Sequence, residues 1–195
     1  MQDEKGNHVK TVRLRLVPRG FMEWAVFDVE TFSGTARGSS QSLLGGEAAC
    51  HPDWALARID IDKAALKGPT CKELADATGE KGEDNGFYIT PGSASALRSL
   101  PGCARFEGSK RCHQCLKLGT GTKDAPRAFS LKLRTTTQNI GLVCTQFGPE
   151  FELGSNLLAA QRVDDVNMTG LESSVDACVK QVEKTFGTCK LNILH

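Results

Sequence analysis

No stretch of the chain approaches the ~20 consecutive apolar residues that cross a bilayer. The first ten residues also lack the apolar run of a secretory leader. No membrane span is therefore expected. Charge of one sign is missing too: 24 Lys and Arg stand against 23 Asp and Glu, a net +1 with no like-charged run. That removes global electrostatic support for holding a polyanion, and no nucleic-acid partner is expected. Complete catalytic signatures are absent: the chain has no G-x-S-x-G, H-E-x-x-H, P-loop or G-x-G-x-x-G, and its four His, at 8, 51, 113 and 195, are scattered. No repeat at a fixed period is found.

Cysteine is what the chain does have. Eight residues, Cys50, Cys71, Cys103, Cys112, Cys115, Cys144, Cys178 and Cys189, are spread over the last three quarters of the sequence. An even number so dispersed points to disulfide bridges formed in an oxidising compartment, with a connectivity that the spacing leaves open. Asn167-Met168-Thr169 fits the N-x-[ST] acceptor pattern, so Asn167 is the glycosylation candidate of a secreted glycoprotein.

The periodicity reads as mainly β, an antiparallel sandwich or packed sheet in a single domain over 1–195. Val12, Leu14 and Leu16 alternate with Arg13 and Arg15, and residues 23–32 want cover on both faces, as a central strand does. Ala57, Ile59 and Ile61 alternate with Arg58, Asp60 and Asp62. Phe129, Leu131, Leu133 and Thr135 alternate in the same way, and are expected to pair with a run over 140–147 through a turn at Gln138 and Asn139. Residues 33–49, rich in Gly and Ser, read as a loop, and 63–85 as a longer one with a helical turn at 71–77. Near the end the period changes. Leu171, Val175, Cys178, Val179, Val182 and Phe186 form one apolar stripe, predicting a C-terminal amphipathic helix over about 170–186 with a Thr169/Glu172 capping box and a Gly187 cap.

Residues 25–31, Ala-Val-Phe-Asp-Val-Glu-Thr, resemble the first exonuclease motif of the DEDD nuclease family, a strand whose Asp-x-Glu binds two divalent metals. The resemblance implies Asp28 and Glu30 as metal ligands for phosphodiester hydrolysis. The two further acidic motifs of that family are not found at suitable distances. Asp60 and Asp62, with Asp53, Glu83 and Asp84, read as a solvated acidic face.

The C-x-x-C of Cys112 and Cys115, together with Cys103 and Cys144, offers four thiolates for zinc, with His113 as a substitute, although a second closely spaced pair is missing. The leading expectation is a non-catalytic extracellular module without a cofactor, used in adhesion, matrix or cell-wall assembly or ligand recognition, with a protein or carbohydrate partner. The alternatives are an intracellular zinc-stabilised structural or assembly subunit, and a hydrolase with an unrecognised site.

Overall fold

The computed structural model describes residues 34–79, 86–105, 112–146 and 148–194, and besides these Val17 and Glu107. The expected strands at 12–16 and 23–32, and with them Asp28 and Glu30, lie outside the described residues.

The strand read around Ala57, Ile59 and Ile61 is present and organises the rest. In β1 (Trp54–Asp60) Ala57 and Ile59 are buried, as is Ile61 just beyond it, while Arg58 is exposed. Full burial of each isoleucine contributes about 1.5–3 kcal/mol. β1 lies inside a six-stranded antiparallel sheet of order β4-β5-β6-β7-β1-β8, made with β4 (Val143–Thr145), β5 (Gly148–Leu153), β6 (Leu157–Arg162), β7 (Asp165–Leu171) and β8 (Lys190–Leu194). A separate two-stranded sheet joins β2 (Gly86–Tyr88) to β3 (Cys112–Gln114).

Helices cover both faces of the large sheet. On one face, α4 (Ala125–Gln138) and α5 (Glu172–Phe186) enclose the main core, in which Phe129, Leu133, Cys178 and Val182 meet Ile59, Ile61 and Met168. On the other, α1 (Gly38–Cys50) sets Leu44 against Phe151 and Ala160. Two shorter helices, α2 (Cys71–Thr78) and α3 (Pro91–Arg98), complete the five described.

The mainly β expectation is thus corrected to a mixed fold, with helix at 42% and strand at 28% of the described residues. Three misreadings explain the difference. The 129–136 run is the body of α4, because Phe129 and Leu133 share a face at helical spacing as well as at strand spacing, and Thr136 and Thr137 are buried on the same side. The Thr135, Thr136 and Thr137 hydroxyls donate to the carbonyls of Leu131, Lys132 and Leu133, which lets three β-branched residues close a helix. The Gly- and Ser-rich segment is α1, held by the tertiary contact of its one buried residue, Leu44. The expected long loop 63–85 contains a 3-10 turn (Ala64–Lys67) and α2, whose Thr70 and Glu73 form a full capping box.

The helix read over 170–186 is there as α5, capped by Gly187 at φ 76°, but one further strand, β8, follows it. Its first turn differs from expectation. Leu171 occupies the N-cap position, and Thr169 is buried within β7.

Candidate functional site

Charged side chains gather where β1, β7 and β8 run side by side. Alternation sends Val166 and Met168 of β7 under α4 and α5, which leaves Asp165 and Asn167 on the opposite face. The register sets Asp60 against Asp165, Arg58 against Asn167, Lys190 against Asp60 and Asn192 against Arg58. One polar face of three strands results.

At its end the β6–β7 hairpin turns through Val163 and Asp164, between the paired Arg162 and Asp165. The Ile61 amide donates to the Asp164 carbonyl at 3.1 Å, so the turn is tied directly to the end of β1. Asp60 and Asp165 therefore stand opposite each other from two distant segments, with Asp164 next to them in the turn. The Arg58 guanidinium donates to the Asp165 carboxylate, and Lys190 Nζ stands 3.9 Å from Asp60 Oδ2.

The backbone here is strained. Val163 has φ 51° and Lys63 φ 57°, and among the described residues these two are the non-glycine positions with positive φ. For a β-branched residue that region is a genuine outlier, with a cost of about 1–3 kcal/mol. Both residues flank the three aspartates.

The cysteines are dispersed thiols in this structure. Cys50 ends α1 and is exposed, Cys71 opens α2, Cys103 follows α3, Cys112 lies on β3 with Cys115 just past it, Cys144 is on β4, and Cys189 precedes β8. Cys178 is buried in the main core, and burial pushes its thiol up to about 12. The proposed zinc set is divided: Cys112 and Cys115 belong to the small sheet and Cys144 to an edge of the large one. Among the described residues no three His, Cys, Asp or Glu side chains are grouped to hold a metal ion. Asn167, the glycosylation candidate, sits within β7 and donates from Nδ2 to Gln41 Oε1 at 2.8 Å.

A buried polar group lies on the opposite side of the sheet. Glu152 accepts from the Thr137 hydroxyl at 3.0 Å, and burial raises its carboxyl above the ordinary range. Reading along the sequence missed both this group and Asp164–Asp165. The second had a signal: an Asp pair between two apolar runs, 157–160 and 166–171, is the composition of a hairpin tip.

No family model matches the chain, and no curated protein matches it. Two solved structures share part of its outline. A telomerase from Candida albicans in complex with a TWJ fragment of telomeric RNA has 8% identity and a TM-score of 0.43, over 84% of this chain and 31% of that one. An apo telomerase from Candida tropicalis, truncated from the C-terminal domain, has 11% identity and a TM-score of 0.39, over 83% and 36%. This chain spans about a third of the length of either, and at these scores the likeness fixes neither its fold nor its activity.

Two expectations are corrected here. The chain was expected to be extracellular and to bind no nucleic acid, whereas the structures it is similar to are telomerases, one of them holding RNA. Neither expectation is carried forward. Among the described residues no helix is long and apolar enough to cross a membrane.

Proposed function

We propose that the chain is a phosphoryl-transfer domain acting on nucleic-acid or nucleotide phosphodiesters, with the in-register Asp60 and Asp165 as the two residues that would hold a divalent cation, the substrate completing its ligands. The observation that carries this reading is the in-register pairing of Asp60 with Asp165, beside Asp164 on a strained turn. Like charges directly opposite in a sheet are destabilising, and a strained β-branched tip adds to that cost. Such a combination is expected at a site kept for chemistry. A divalent ion there would suit a phosphodiester substrate because it can polarise a phosphoryl oxygen and lower the pKa of a bound attacking water.

The surrounding cations support the substrate class. Arg58, Lys63, Arg162 and Lys190 lie along the same end of the sheet, where they can neutralise phosphate oxygens that the carboxylates would repel. Away from the aspartates this face is covered by α1, whose Gln41 accepts from Asn167, so the open part of the face is its aspartate end. The hydrolase reading thus moves from Asp28 and Glu30 to this end of the sheet, with water or a hydroxyl as the attacking group.

A second reading is a non-catalytic binding or assembly domain. It is favoured by the ion pairs of Asp165 with Arg58 and Asp60 with Lys190, which a divalent ion would have to displace. One assay separates the two. The purified chain is incubated with Mg²⁺ or Mn²⁺ and a labelled primer annealed to a template, with and without nucleoside triphosphates. Metal-dependent lengthening or shortening of the label, lost in Asp60→Asn and Asp165→Asn, is the expected result. A folded chain that changes no substrate under either metal leaves the binding reading in its place.

A further inference from the structure

We propose that Cys71 and Cys115 form a redox pair, a disulfide that closes and opens between α2 and the segment leading to α4. Their contact is direct: Cys71 Sγ donates to the Cys115 carbonyl oxygen at 3.3 Å. A carbonyl oxygen is roughly 2.4 Å from its own Cα, so the Cys71 sulfur lies within about 5.7 Å of the Cys115 Cα. The two residues are therefore neighbours, and closure would set their Cα atoms at the roughly 4.4–6.8 Å usual for a disulfide.

The backbone is already in place. Thr70 and Lys117 form an isolated antiparallel bridge, and the Cys71 amide donates to the Leu116 carbonyl at 3.3 Å. Closure would take place between two segments that the backbone already holds together. The Cys115 thiol gives up its bond to the Lys117 carbonyl, 2.8 Å away, and Cys71 gives up its bond to Cys115. Both residues are half-buried, so a small disulfide reaches them from solvent.

The chemistry is thiol–disulfide exchange with a low-molecular-weight disulfide such as oxidised glutathione. One cysteine thiolate attacks it and releases one reduced thiol. The second cysteine then attacks the mixed disulfide, forms the Cys71–Cys115 bond and releases another. Two electrons pass to the oxidant, and the two protons leave the cysteines.

The position gives the bond a consequence. Cys71 and Leu74 pack on the small core of Leu118, Ala125 and Ala128. A Cβ at Gly119 would lie 3.2 Å from Leu66, in the 3-10 turn that follows Asp60 and Asp62. Oxidation would thus clamp the covering next to the aspartate end of β1 while leaving the sheet untouched.

The test is exchange with oxidised glutathione on the folded chain, then denaturation, alkylation and tryptic mapping. The expected product joins peptide 68–72 to peptide 112–117 and takes up two fewer labels than the reduced chain. It should survive Cys112→Ser and vanish in Cys115→Ser and in Cys71→Ser. The oxidised chain should also melt on the order of 5–10 °C higher than the reduced one. A link that persists in Cys115→Ser, or eight labels after exchange in a folded chain, would overturn the pair. In reductant the Cys71→Ser and Cys115→Ser chains should melt close to the parent, which shows that a lost link is not lost folding.

Discussion

Asp60 and Asp165 face each other across β1 and β7 with their backbones in register, and each carboxylate is answered by a cation from a neighbouring position rather than by the other. Arg58 serves Asp165 and Lys190 serves Asp60, so the repulsion between the two aspartates is divided rather than removed. A double-mutant cycle with Asp60→Asn and Asp165→Asn should therefore give a repulsive coupling of about 0.2–1 kcal/mol by urea unfolding. Neither single change should cost more than about 1 kcal/mol, because Arg58, Lys190 and Asp60 are substantially exposed to solvent. An attractive coupling would mean that the two carboxyls share a proton or a hydrogen bond.

Val163 holds a left-handed backbone that its branched side chain opposes. Replacing it by glycine removes that strain at the cost of extra freedom in the unfolded chain, leaving a net gain of about 0.5–1 kcal/mol. Thermal unfolding of Val163→Gly should show a higher midpoint. A clear loss of stability would show that the valine side chain contributes more than its backbone costs.

Glu152 carries the clearest pH dependence. Burial raises its carboxyl, only partly opposed by the Thr137 hydrogen bond and by Arg134. The folded chain then keeps a proton that the unfolded chain releases. Stability falls as pH rises from the ordinary carboxylate range through the raised value of Glu152, and the contribution is fully present only below that window. Glu152→Gln, which still accepts from Thr137, should flatten this part of the stability–pH curve and raise stability at neutral pH. An unchanged slope would place the titration elsewhere.

Gly170 shows why one position in β7 admits no side chain. A Cβ there would fall 2.2 Å from the Asn156 carbonyl oxygen and 2.9 Å from the Leu157 Cα, both backbone atoms that cannot step aside. Gly170→Ala should cost about 3 kcal/mol in chemical denaturation. A near-neutral effect would mean that the β5–β6 connection has room to move.

Much of the large sheet's centre was legible because β1 obeys one rule on each face: apolar residues under the helices, charged residues opposite. The α5 stripe was legible for the same reason, since its period fits no strand. Ambiguity came where two periods coincide. Phe129 and Leu133 satisfy both, and only the neighbouring Ala125, Ala128 and Thr136, buried on the same side, settle the matter for a helix. α1 was unreadable because its glycines and serines carry no pattern and its stability comes from packing on a distant sheet. The candidate site was not legible: Asp60 read as part of a solvated acidic face, its partner Asp165 lies about a hundred residues away, and strand pairing rather than spacing brings the two together.

The most direct test of the central claim is Mn²⁺ binding, followed through the relaxation of water protons in the parent chain and in single aspartate variants. Saturable binding is predicted, weakened about tenfold or more by Asp60→Asn and by Asp165→Asn and left intact by Asp53→Asn before the far end of β1. Binding that all three changes leave alone, or none at all in the folded parent chain, would contradict a metal-holding role for this end of the sheet.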